Sequence, residues 1–463
     1  MEKAWERARK LTDSARPKKI EKEDRTWSKY NNAGEEADKG LMLHWRSSVP
    51  GSSAPESIML AAIQAKENQG YIVKNGMELY DRGLEAMKSG DMIALNMISS
   101  EIWREVERAE KDPSAPSWKF KRYGDWKSFR EACRFPAAGT PDEGSLEERI
   151  MAGWTAQIIG GAIGTEIEGY TTDAIREVFG NVTDYISEPD TFNDDITYEL
   201  AFLKAFEEKG SAVGAEDIAL NWVGLIPSGW SAEEMALRNI AMGIMPPESA
   251  SVVNPFGEWI GAQMRGAVCG MLAPCSPEEA ARLAWIDGSI SHYSNGIIGE
   301  VFNAMLVSLA FGGGSMREIV KSCVEALPQD CEYAHFVRSA LEWSMEDRGW
   351  EDAWRKCEKF SQRYNWIHAY PNAMAEVVAL WYGDGSFDRT INIIAMEGQD
   401  VDCNAAQILT AVGAASGMQA IPERWSRPIG GMLQTYMRKG YDRIPIDDLS
   451  KRTFEAWKNR DRH

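Results

Sequence analysis

Histidine is scarce, with five in 463 residues (His44, His292, His335, His368 and His463), too few to suggest an imidazole-rich zinc centre. The seven cysteines are odd in number and contain no C-x-x-C pair, so neither a disulfide framework nor a zinc ribbon fits, and reduced cytoplasmic thiols are expected. Basic residues are outnumbered: 51 Lys plus Arg stand against 70 Asp plus Glu, and the net charge of -19 argues against nucleic acid or an anionic membrane as a partner. The chain lacks a G-x-S-x-G elbow, a G-x-x-x-x-G-K-[ST] phosphate loop and an H-E-x-x-H motif. Its most apolar stretch, residues 150–164, is shorter than the roughly 20 residues a bilayer requires and reads as a buried helix. The N-terminus mixes acids and bases around no apolar segment, unlike a signal or transit peptide. Chemistry is therefore expected to run on carboxylates.

What remains is ordinary globular composition, 44% hydrophobic and 26% charged, in a chain long enough for a large core with additions. Helix-start signatures recur. Ser145-Leu-Glu-Glu148, Ser231-Ala-Glu-Glu234 and Ser276-Pro-Glu-Glu279 each read as a capping box, the last with proline at the first helical position. Apolar residues at Ile150, Met151, Trp154 and Ile158 follow helical spacing, and no alternating strand pattern competes, although short strands escape such a reading. The expected fold class is all-α. Residues 1–144 form a charged, Trp-bearing helical region ending in the Pro/Gly-rich stretch 135–144, which is either a domain boundary or a loop between helices. Residues 145–430 form the core and 431–463 a C-terminal helical extension.

Two acidic knots stand at helix starts, Asn193-Asp194-Asp195 and Asp400-Val-Asp402-Cys403-Asn404. Helix capping accounts for one carboxylate per helix start. Each knot holds two, and the crowding raises pKa values or costs stability unless a cation neutralises it. Oxygen ligands suit magnesium, manganese or calcium.

The same knots carry a family resemblance. Asn193-Asp194-Asp195 resembles the T-D-D metal motif of ADP-ribosylglycohydrolases, and Asp400 to Ala406 resembles their D-x-D-T-N-A-A motif. The segment from Arg149 through Gly160, Gly161 and Gly164 to Glu168 looks like their opening helix, G-D-A-x-G-x-P-x-E. Ile260 to Arg265, Ser291-His292-Tyr-Ser-Asn295 and Ile421-Pro-Glu-Arg-Trp425 are similar, in order, to three further motifs. The resemblance implies a compact helical bundle that binds one or two magnesium ions, with manganese as an alternative. Its ligands would be Asp194, Asp195, Asp400 and Asp402, joined by the amide oxygen of Asn193. Glu168, Asp194 and Asp402 are the implied catalytic carboxylates, Glu168 orienting substrate or water. His292, Asn295, Cys403 and Gly161 are the implied substrate contacts. The implied reaction is hydrolysis of a glycosidic bond to ribose in an ADP-ribosyl or related small-molecule conjugate, or in an ADP-ribosylated protein.

Three departures set this chain apart: Asn193 and Cys403 replace threonines, and Gly161 replaces an acid. A thiol is a poor magnesium ligand, so one contact is lost or passes to water. These changes leave room for a nucleosidase-like N-glycosidase or a catalytically silent binding protein of the same fold, although all four aspartates are retained.

Overall fold

The computed structural model describes residues 2–19 and 33–462; residues 20–32 of the expected N-terminal region lie outside the described residues. The architecture is all-α. The strands that do occur are two or three residues long and pair into two-stranded antiparallel ladders, too short to leave a period of two in the sequence. Two of them matter for the cavity described below. Ser47–Ser48 pairs with Pro55–Glu56, and Tyr170–Thr171 pairs with Gly398–Gln399 in the register Tyr170 to Gln399.

At the centre, the Glu143–Gly164 helix lies along the Val401–Ser416 helix. Small residues set their separation. A Cβ on Gly160 would stand 2.4 Å from the backbone of Ala405, and one on Gly164 would stand 2.1 Å from the amide nitrogen of Asp402. Since nonbonded carbon atoms rest at roughly 3.5–4 Å, no side chain fits at either position. The glycines of the 160–164 segment therefore bring the end of one helix against the acidic start of the other. On the far side the Ile446–Asn459 helix packs on the same element, where the buried Trp154 indole donates to Thr453 Oγ1 at 3.0 Å.

The three expected capping boxes do not form. The first helix starts earlier, at Glu143, where Asp142 Oδ1 accepts the Gly144 N–H and Ser145 Oγ donates to Asp142 Oδ2 at 2.8 Å. A carboxylate gains more than a hydroxyl from the positive end of the helix, so Asp142 takes the cap. At Ser231–Ala241 the N-cap is Trp230, and Glu234 turns outward to Arg238. Ser276 does occupy the N-cap before Pro277, but its side chain makes no cap bond and its N–H donates to Ser308 Oγ.

Two apolar clusters form. The larger spans the region from Tyr123 onward. The smaller joins Trp45, Ile58, Ile63, Leu95 and Ile102 to Phe256 and Trp259. The N-terminal helices thus rest on the 256–259 turn. The Pro/Gly-rich stretch is tied down as well, Arg134 N–H donating to Ala326 O and Gly139 N–H to Cys275 O. Among the described residues no helix is long and apolar enough to cross a membrane.

Several acids are buried in this core without a cation. Glu199 accepts from Gln407 and Glu376 from Gln263 and Asn303, and in each the second oxygen has no partner. Burial pushes both carboxyls up to about 8. The folded chain then holds protons that the unfolded chain has released above the ordinary carboxylate value of about 4.3. Stability is accordingly highest below that value and falls as pH rises towards 8, at up to about 1.4 kcal/mol per pH unit for each such group. The expected result is a denaturation midpoint, measured without metal, that drops between about pH 5 and about pH 8, with Glu376→Gln flattening the slope. A midpoint that climbs over this range would contradict the assignment.

Candidate active site

The central helix pair ends at a cavity of about 510 Å³. Glu168 reaches it from the turn after Gly164, held by the ladder that pairs Tyr170 with Gln399, one residue before Asp400. Asp194 reaches it from the first turn of the Asp194–Lys209 helix, and Asp400, Asp402 and Cys403 reach it from the start of the Val401–Ser416 helix. Carboxylate anions are favoured at both helix starts by the N-terminal dipole.

Capping does not consume these carboxylates. Asn193 caps its helix instead, its Oδ1 accepting the Asp195 N–H at 2.8 Å, while its Nδ2 donates to Asp402 Oδ2 at 3.2 Å and braces the two knots together. Asp400 sits at an N-cap without making a side-chain cap bond. Asp195 lies one layer behind the wall, fully buried, with Oδ1 accepting from Cys403 Sγ at 3.2 Å. The thiol, kept protonated by burial and by its acidic neighbours, works as a donor.

The electrostatic crowding is severe. Burial, with Asp402 next in weight, drives Glu168 and Asp195 well above the usual carboxylate range, and the same pair of causes acts on Asp400. Asp194 is exposed at the cavity wall yet ringed by protein, and this enclosure with the charge of Asp402 pushes it up to about 6. Asp195 Oδ2 and Asp400 Oδ1 are buried with no hydrogen-bond partner. Ligand atoms of Asp400, Asp402 and Cys403 lie within 4.8 Å of one another. Unpartnered oxygens on mutually repelling carboxylates are what a divalent cation relieves, so the residues fit a bound metal.

Three residues of the matched motifs stand elsewhere. His292 does not line the cavity: it is 1% exposed, with Nδ1 at 2.8 Å from Ser291 Oγ, and burial with the nearby Arg265 holds it well below the ordinary histidine value. Asn295 is equally buried, donating to Glu258 and accepting the Tyr333 N–H. Gly161 makes space rather than contact, since a Cβ there would stand 2.9 Å from Asn193 Nδ2. The Ile260–Arg265 segment supplies Arg265, whose fully buried guanidinium binds Glu233 and Asp287. Glu233 faces the cavity, and Gly261 lets it approach, because a Cβ there would meet its carboxylate at 2.1 Å.

Sequence reasoning did not single out Glu233, Tyr198, Phe192, Trp230, Trp366 or Tyr436, all on the cavity wall. Glu233 had a signal, an acid beside Glu234 at a helix start that needed only one of them. The N-terminal region contributes Leu43, Ser47, Ser48, Val49, Pro50 and Glu56, which no motif marked. Among the described residues that line the cavity, six are acidic and none is Lys, Arg or His.

Residues 142–462 match the family model for ADP-ribosylglycohydrolase. A curated protein of Archaeoglobus fulgidus, described as an uncharacterized protein, is 27% identical over 298 residues, 60% of this chain and 91% of its own length. A solved structure described as an ADP-ribosylglycohydrolase-related protein complex shares the fold, with a TM-score of 0.50 and 16% identity, covering 68% of this chain and 99% of that one. With the model spanning more than half of the sequence and both acidic knots, the chain belongs to the ADP-ribosylglycohydrolase family.

Proposed function

We propose that this cavity hydrolyses a glycosidic bond to ribose in a small-molecule conjugate, with magnesium, or manganese in its place, held by Asp194, Asp195, Asp400 and Asp402. The observation that carries the reading is the convergence of two distant acidic knots on one cavity, leaving buried carboxylate oxygens without partners. When bound, the cation would fix the ribose diol and acidify water. The remaining work falls to the chain. Bond cleavage leaves positive charge on the sugar ring, which the carboxylates of the wall stabilise. Glu168, biased toward its protonated form by burial and then by Asp402 and Asp400, is suited to exchange a proton with the attacking water or the leaving group. Asn193 and Cys403 hold Asp402 and Asp195 in place through their side chains. Free thiols throughout, six of the seven buried, support a reducing, cytoplasmic setting.

Calorimetry with magnesium followed by sugar release from a panel of ribosyl and ADP-ribosyl conjugates tests the proposal. Cation binding with release of ribose or ADP-ribose is expected. Failure to bind magnesium or manganese would favour a silent protein of the same fold.

A further inference from the structure

We infer that the N-terminal region makes the cavity selective: the hairpin at residues 47–56 admits ribosides whose leaving group is an uncharged or cationic ring, and turns away conjugates bearing a pyrophosphate. The inference rests on the hydrolase reading above and narrows its substrate class.

The family match begins at residue 142, yet the wall includes residues from 43 to 56. That segment is an addition to the matched part of the chain, and it is clamped. Ser47 pairs with Glu56, Tyr170 Oη donates to Ser52 O at 2.9 Å, and Ala54 lies where a Cβ on Gly169 would approach within 2.5 Å. Its anchor is thus the same 165–170 turn that carries Glu168. A wall fixed on both sides sets the shape of what binds, and about 510 Å³ falls within the range of roughly 300–1,000 Å³ that encloses small ligands.

Charge decides what kind of ligand suits it. Pyrophosphate groups are ordinarily gripped by Arg, by Lys or by the bare N-terminus of a helix. No Arg or Lys lines the cavity among the described residues, and the Ser231–Ala241 helix carries Glu233 and Glu234 in its first turn. At the same end Glu56 Oε2 accepts from the Trp230 indole at 2.8 Å and from Ser47 Oγ at 3.2 Å, while its Oε1 is buried and unpartnered. Arg265 answers Glu233 from behind the wall and Arg238 answers Glu234, which leaves Glu56 as the carboxylate that an anion there would meet with no Arg or Lys beside it. A planar ring that is cationic, or that bears an N–H, would instead satisfy Glu56 and lie against aromatic surface from Trp230, Trp366 and Phe192.

Nicotinamide riboside and NAD+ form a matched pair for the test, sharing one bond and one leaving group and differing in the pyrophosphate-linked adenosine. In either, the bond from the anomeric carbon to the ring nitrogen breaks with its electron pair going to that nitrogen. Water supplies the new oxygen on the anomeric carbon, and its proton leaves through a wall carboxylate to solvent. With the full chain and magnesium, and both anomers offered, kcat/KM is expected to be about tenfold or more higher for the riboside, the ratio that ~1.4 kcal/mol represents. Glu56→Lys should narrow the ratio, chiefly through KM for NAD+. Glu56→Gln, which keeps an acceptor for the Trp230 indole, should narrow it less and guards against a misfolded lysine variant. Equal or faster turnover of NAD+ overturns the inference and leaves the hydrolase standing, as does a ratio unmoved in folded Glu56 variants. Turnover of neither conjugate overturns the substrate class, and absence of magnesium binding as well overturns the hydrolase reading with it.

Discussion

Asp402→Asn is expected to lower turnover by about 10³-fold or more, a loss of the size seen when a charge that stabilises the transition state is removed. Asp402 is the group to which the others answer. Its charge contributes to holding up the carboxyls of Glu168, Asp194, Asp195 and Asp400, and it accepts both the Asn193 amide and the Cys403 N–H. Replacing it with a neutral amide lowers the repulsion among the remaining carboxylates while weakening any cation held between the knots. Activity and stability should therefore part company: metal-free thermal midpoints should stay level or rise, and the shift produced by magnesium should shrink. A variant within about tenfold of the parent in kcat/KM would remove Asp402 from the chemistry. A collapse of the metal-free midpoint would instead assign it a structural part.

The acid pairs were legible because two carboxylates at one helix start exceed what a cap requires, and the fold brings Glu168, Asp194, Asp400, Asp402 and Cys403 to one cavity. The helices were legible from spacing, as at Ile150 to Ile158. Their starts were less so, because Ser145 and Asp142 compete for the same N–H groups and local sequence does not say which prevails. The glycines at 160 and 164 were legible only as part of the opening-helix resemblance; their physical reason is the backbone of residues 401–406, some 240 positions away in the chain. The same remoteness hid the wall residues from 43 to 56, which reach the cavity through tertiary packing alone. His292 illustrates the converse, a motif residue whose partners, Ser291 and the Arg265 network, lie behind the wall.

Arg265→Met should be the most damaging change to the fold itself, costing about 3–5 kcal/mol, because removing one partner strands the buried charges opposite. The guanidinium binds Glu233 at 2.9 Å and also Asp287, with a further donor on Ser291 Oγ at 3.0 Å. It lies 4.8 Å from the centre of the Trp222 ring. Glu300 lies close enough for its charge to act on the same group. One cation among three acids means that the acids cannot all ionise. Burial, then Asp287, drives Glu300 well above the carboxylate range, while burial outweighs Arg265 and lifts Glu233 to about 7. Methionine would fill much of the volume but leave Asp287 and Glu233 with no cation, and Lys would supply a charge without the planar fork that spans two carboxylates. Both substitutions are thus expected to lower the midpoint of chemical denaturation, with Met the worse. Because Glu233 is on the cavity wall, folded survivors should also show a raised KM. Adding Asp287→Asn to Arg265→Met should return part of the lost stability, since it removes one of the stranded charges. An Arg265→Met protein within about 1 kcal/mol of the parent would mean that the acids already carry protons enough to do without it.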